Sequence, residues 1–188
     1  MNALADAMNA WLEGEQAFGR GDYEKSASCM QQAVAITKLI PDKKGFDRPG
    51  FLSPIYVRLT QVLGLMGRHQ ECLTYAEEAL SFFGSLNRTF FASSIVAVQI
   101  NAANSLAQTN QMSAALEMFQ KAQAMLPDAP ELANQGPSIN QNIRVISRML
   151  NQDRSERAPK TSDKSRLNQR QVEAVSKTPD KKWWEFWK

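Results

Sequence analysis

ANSLAQTNQMSAALEMFQKAQAMLP (Ala103–Pro127) reads as the end of one helix, a tight turn at Thr109-Asn110, and a second helix stopped by a proline. Ala115 and Ala122 are small, and Phe119 between them is bulky. Two helices approach closely in this way, with small side chains at the contact and a large one filling the gap. The same grammar occurs twice upstream, so the chain is built from repeats.

The composition agrees with an all-α fold. The 188 residues are 43% hydrophobic, enough to bury a core, and β-branched runs are absent. No apolar run approaches the roughly 20 residues that span a bilayer. The opening MNALADAMNAWLEGE carries acids where an export signal needs basic residues and an apolar core, so the chain is expected in the cytoplasm. Cys29 and Cys72 fall on helix faces expected to be buried, as small thiols of an intracellular protein. The net charge of +3 is unevenly spread. Residues 1–150 carry 12 Lys and Arg against 13 Asp and Glu, while residues 151–188 carry 10 against 6. A neutral body with a basic tail argues against nucleic-acid binding by the body.

Along the chain, residues 2–19 read as a helix with Leu4, Met8, Trp11, Leu12 and Phe18 as its apolar set. Gly19-Arg20-Gly21 breaks it, and Asp22 caps a second helix from Tyr23 to about Leu39, with Ala27, Met30, Ala33, Val34 and Ile36 inward. Pro41–Gly50 is a loop. Ser53-Pro54 reads as the next helix start, serine as cap and proline at the first helical position. That helix runs to about Met66, turns at Gly67-Arg68, and returns from His69 to about Phe83. Asn87 or Thr89 caps a helix from about Phe90 to Gln108, followed by the helix Gln111–Leu126. Ile139, Ile143, Ile146 and Leu150 then form one stripe of a helix over about 138–150, expected to cover the open end of the stack. Residues 151–180 read as a flexible, disordered basic linker, and 181–188, KKWWEFWK, as an aromatic motif.

Taken together these features resemble the tetratricopeptide repeat (TPR) family. The first copy matches at Gly14, Gly21, Tyr23, Ser26, Met30 and Ala33, with Pro41 late. The second matches at Tyr56, Leu59, Leu63, Gly67, His69, Cys72, Ala76 and Ala79, with Gly84 in the place of proline. The third matches best, at Ala103, Leu106, Asn110, Met112, Ala115, Phe119, Ala122 and Pro127. The turn residues are 46 and then 43 apart, against a family standard of about 34, so helices or loops must be longer. The resemblance implies a helix-hairpin solenoid with repeats at about 5–41, 53–84 and 89–127.

It also implies a binding scaffold whose first helices line the concave face. That face should present Trp11, Glu15 and Phe18, then Arg58, Gln61 and Leu65, then Ile100, Asn101, Asn104 and Gln108. Arg58 with Asn101 and Asn104 could hold a peptide carboxylate or backbone amides; the same residues also suit a plain solvated surface. Family members that clamp chaperone C-termini use lysines on this face, and those are missing here.

Nothing in the sequence points to catalysis, a cofactor or a metal. There is one histidine, His69, at a turn position. The two cysteines lack zinc-motif spacing, and there is no phosphate-binding loop, dinucleotide fingerprint or nucleophile elbow. Glu77-Glu78 reads as a solvated helix face.

The tail is the unusual feature. On a helical wheel Trp183, Trp184, Phe186 and Trp187 fall within about 160°, with Lys181, Lys182, Glu185 and Lys188 on the remainder. Eight residues do not hold a helix alone in water. An anionic membrane surface would suit the rings and lysines, and so would a pocket of a protein partner or the protein's own groove. The reading that results is a non-catalytic interaction scaffold or adaptor. Its groove takes a partner segment, and its tail tethers it peripherally to a membrane or to a second protein. The alternative is a secretion- or assembly-type chaperone with the tail as docking tag.

Overall fold

The computed structural model describes residues 3–41, 46–86 and 89–157, and among these residues the regular structure is helical throughout. The helices are α1 (Ala3–Gly19), α2 (Tyr23–Leu39), α3 (Arg48–Leu65), α4 (His69–Gly84), α5 (Ala92–Gln108), α6 (Met112–Met125) and α7 (Gly136–Arg157). Two short 3-10 turns, Leu126–Asp128 and Pro130–Gln135, join α6 to α7. The helices belong to one unit that extends to Glu156.

Three residues make the repeat visible in the backbone. Gly21, Gly67 and Asn110 take φ values of +77°, +73° and +60°, the left-handed region that glycine and asparagine tolerate best. In each turn the next residue's amide reaches back five residues. Asp22 donates to the Ala17 carbonyl at 3.0 Å, Arg68 to Leu63 at 2.9 Å and Gln111 to Leu106 at 2.8 Å. The left-handed residue itself donates to the carbonyl three back, Phe18, Gly64 or Ala107. This is the glycine-type helix stop, which satisfies the last carbonyls and reverses the chain. α1–α2, α3–α4 and α5–α6 are therefore three helix hairpins with the same corner.

The core follows the same register. Positions five, nine and twelve after each turn residue are Ser26, Met30, Ala33 in α2, Cys72, Ala76, Ala79 in α4, and Ala115, Phe119, Ala122 in α6, and all nine are buried. Val34 and Ala27 complete the inner face of α2, with Ile36 half-buried. Larger side chains from α3 fill the space between hairpins. Tyr56 stands edge-on to Phe83 at 6.1 Å, and Phe83 stacks on Phe91 at 5.2 Å. The Tyr56 hydroxyl donates to Glu78, which also pairs with Lys38 at 2.5 Å. Glu77 is solvated as expected, but Glu78 is half-buried and structural.

α1 departs from its sequence reading. Its buried residues are Ala7, Ala10, Gly14 and Ala17. The large apolar residues Leu4, Met8 and Leu12 are exposed, and Trp11 and Phe18 are half-buried. The reason is the closeness of α2. A Cβ on Gly14 would lie 3.0 Å from Met30 Cε and 3.3 Å from Cys29 Cβ, so only small residues fit this seam.

α3 starts earlier than Ser53-Pro54. Asp47 is its cap, accepting from the Gly50 amide at 3.0 Å, and Pro49 occupies the first turn. Ser53 is buried and hydrogen-bonded to Ser94, while Pro54 lies inside the helix. α7 is longer than the 138–150 expected, because 151–157, read as linker, continue the helix. Ile139 and Ile146 are buried against α5 and α6 side chains, with Ile143 and Leu150 partly so. The rest of the linker and the aromatic motif, Lys181, Lys182, Trp183, Trp184, Phe186, Trp187 and Lys188 included, lie outside the described residues.

Candidate functional site

Because the three corners match, α1, α3 and α5 share one face of the stack. A groove of about 420 Å³ opens there, lined by Trp11 and Glu15 of α1, Pro54, Val57 and Arg58 of α3, Ser93, Ser94 and Ala97 of α5, and Leu132 of the 3-10 turn. Its walls are mainly apolar. Trp11 is braced edge-on by Phe51, ring centres 5.5 Å apart. Ser94 is tied to Ser53 beneath it. Ser93 donates to the Glu131 carboxylate, holding that carboxyl below its usual range with help from a backbone amide, and this fastens the 3-10 turn beside Leu132.

The polar end of the groove is built around Arg58. Its Nε donates to Glu15 Oε1 at 3.0 Å and its Nη2 to Glu15 Oε2 at 3.1 Å, while Nη1 donates to Gln61 Oε1 at 2.8 Å. The guanidinium also lies 4.0 Å from the centre of the Phe18 ring. This fork pairing is geometrically well matched, and it holds α3 to α1. An incoming carboxylate would have to displace Glu15 before it could use Arg58.

The residues expected on this face therefore divide. Trp11, Glu15 and Arg58 line the groove, and Phe18 and Gln61 hold Arg58 in place. Asn101 faces α3 instead, donating from Nδ2 to Thr60 Oγ1 at 3.0 Å and to the Val57 carbonyl at 3.3 Å. Ile100 packs partly into the cluster of the third hairpin. Asn104 is half-buried with its side-chain oxygen shielded from solvent. Leu65 and Gln108 are exposed near the helix ends. Pro54, Val57, Ser93, Ser94, Ala97 and Leu132 were not anticipated. They are small or unremarkable residues, and only the α3–α5 spacing makes them a site.

The one histidine and one of the cysteines lie elsewhere, in the seam of α3, α4 and α5. Burial pushes the Cys72 thiol up, and its Sγ donates to the Thr60 carbonyl at 3.2 Å. Burial pushes His69 down, and its Nδ1 lies 3.4 Å from Ser105 Oγ. Cys29 is buried too and its thiol is likewise raised by burial. Neither thiol has the lowered pKa of a reactive cysteine. Among the described residues no group of three His, Cys, Asp or Glu is placed to hold a metal ion, and no helix is long and apolar enough to cross a membrane.

Residues 1–134 match the family described as Domain of Unknown Function (DUF3856). The chain belongs to that family. The DUF3856 region spans all three hairpins and the groove, and it ends before α7. Comparison with curated proteins gives no match. Among solved structures, a TPR-like protein from Chlorobium tepidum superposes with a TM-score of 0.65 at 18% identity, covering 77% of this chain and 96% of that one. At that identity the likeness concerns the fold: the DUF3856 chain is a TPR-like helical repeat protein.

Proposed function

We propose that this protein is a non-catalytic scaffold whose groove on the α1–α3–α5 face binds an apolar segment of a protein partner. The observation that carries this reading is the groove itself. It is open, walled by Trp11, Val57, Ala97 and Leu132, and framed by a rigid set of hairpins. Pockets with apolar walls and a few fixed polar groups are the usual form of a recognition site, and a solenoid holds such a wall in place along its length. The Arg58–Glu15 pair at one end supplies orientation, exchanging hydrogen bonds with a polar flank of the ligand.

The aromatic-basic tail is the second part of the proposal. Trp183, Trp184, Phe186 and Trp187 with Lys181, Lys182 and Lys188 would tether the scaffold to an anionic membrane surface or to a second protein. A partner segment is sought by selecting peptides from a random library on the full-length protein and counter-testing them on Ala97→Arg, which fills the groove. Peptides that lose binding to this variant, while its circular dichroism is unchanged, support the groove. Peptides indifferent to it would place recognition elsewhere. For the tail, co-sedimentation of the full chain with anionic vesicles, against a chain ending at Thr178, separates a lipid tether from a protein one.

A further inference from the structure

α1 carries a surface that neither the fold nor the groove uses. Leu4, Met8 and Leu12 recur every fourth residue along one side and remain 38%, 47% and 49% exposed. The helix is committed to α2 through its small face of Ala7, Ala10, Gly14 and Ala17. At 100° per residue, Leu4, Met8 and Leu12 span a strip displaced from that face toward solvent, bordered by exposed Ala5 and Asn9. A terminal helix of a repeat stack ordinarily has a polar outer side. At the other end, α7 lays Ile139 and Ile146 over the third hairpin. A row of exposed large apolar side chains on a terminal helix marks a contact surface.

We propose that α1 pairs with α1 of a second copy of this chain, antiparallel, about a two-fold axis that passes at Met8. Three observations favour this occupant. The row is symmetric about its middle residue: leucine, four residues to methionine, four residues to leucine. An antiparallel two-fold pairing therefore sets Met8 against Met8 of the partner copy and Leu4 beside the partner copy's Leu12, as an isologous interface requires. The strip also carries no unpaired charge that would repel its twin. Asp6 and Glu13 project from the far side of the helix, where Glu13 pairs with Lys25 at 2.7 Å, and Glu15, on the arc of the strip but one turn beyond Leu12, is held by Arg58 at 3.0 Å. Finally, the charges of α1 are acidic, with no lysine or arginine within the helix. That is the opposite of what a helix lying on an anionic bilayer carries. Antiparallel pairing additionally opposes the two helix dipoles.

The size of the contact sets its strength. A 17-residue helix is about 25 Å long, and a single helix pair of that length falls at the small, exchanging end of specific interfaces. The dimer is thus concentration-dependent.

The test is sedimentation equilibrium of the full chain from low micromolar to near-millimolar concentration, with Met8→Glu alongside. The wild type is expected to rise from 21.1 kDa toward twice that mass. Met8→Glu is expected to stay at the monomer mass with unchanged circular dichroism. A wild type that stays monomeric throughout overturns the proposal, and so does a Met8→Glu variant that still dimerises, which would place association in the tail or another face. A second variant is independent of any folding defect. Met8→Cys on the axis should oxidise to a covalent dimer in high yield, whereas Leu39→Cys, at a site 81% exposed on α2, should not. Equal or reversed yields overturn it, since the native Cys29 and Cys72 are buried and do not compete.

Discussion

Single residues with unusual backbone or burial decide the corners and the seams. Gly67 sits at φ +73° with nothing within 4 Å of where a Cβ would be. Gly67→Ala therefore tests backbone strain alone, and it should cost about 1–2 kcal/mol in urea unfolding, the penalty of a left-handed alanine. Asn110→Gly at the equivalent corner should shift the midpoint slightly upward, because asparagine at φ +60° already bears part of that strain. An unchanged midpoint for Gly67→Ala would mean the corner is not left-handed. Titration gives a second expectation. Burial, then the hydrogen bond to Glu78, push the Tyr56 phenol above its ordinary value, and burial pushes Cys72 up as well. Both groups ionise more easily in the unfolded chain. Their contribution is fully present below the ordinary thiol and phenol range and is lost as pH rises beyond it. Stability measured by urea melts should fall above about pH 9, and Tyr56→Phe with Cys72→Ser should flatten that fall. Gly21, Gly67 and Asn110 were legible in the sequence because glycine and asparagine announce left-handed turns. Asn101 was not: nothing in its one-letter neighbourhood says that its amide turns inward to Thr60 rather than outward to a ligand.

At the level of elements, the hairpins were legible and several faces and boundaries were not. Two proline signals compete in Asp47-Arg48-Pro49 and Ser53-Pro54. The first wins because Asp47 can accept the Gly50 amide, and a Cβ on Gly50 would collide with the Asp47 carboxylate at 2.2 Å. Pro54 is then carried inside the helix, on its exposed groove side. There it removes an amide that would bond the Gly50 carbonyl, and its ring crowds that carbonyl. Pro54→Ala should restore the bond. An interior proline costs about 3 kcal/mol against alanine, offset by the roughly 0.4–1 kcal/mol that proline saves in the unfolded chain. The expected gain is about 2–2.6 kcal/mol in thermal or urea unfolding. A loss instead would mean that proline at position 54 is required for α3 to fit between α1 and α5. The outward face of α1 escaped sequence reading for the opposite reason. Periodicity finds the largest apolar residues, and here the tight seam with Met30 and Cys29 selects the smallest.

The three hairpins and α7 form a stack in which each hairpin rests on the next, so its ends determine how much of it stays folded. The groove was only partly visible beforehand because it belongs to no one repeat. Trp11, Val57, Ala97 and Leu132 come from four elements, and their meeting depends on the spacing of the stack. The last helix is a different matter, since the Ile139–Ile146 stripe is visible in the sequence and both residues are buried in one cluster with side chains of α5 and α6. α7 lies beyond the family match, which ends at residue 134. A chain ending at Gln135 should keep the three hairpins but expose part of the cluster that Ile139 and Ile146 join. Full burial of two isoleucines stabilises by about 1.5–3 kcal/mol each, an upper estimate because unfolded chains already hide part of that surface. Truncation at Gln135 should lower the urea midpoint correspondingly and raise binding of a hydrophobic dye, with the loss of amide protection concentrated in α5 and α6, since repeat stacks lose stability nearest the exposed end. If instead truncation at Gln135 left the midpoint unmoved, α7 would be an appendage and the third hairpin would close the stack unaided. If protection fell equally in α1 and α2, the three hairpins would unfold as one cooperative block rather than as neighbours in a row.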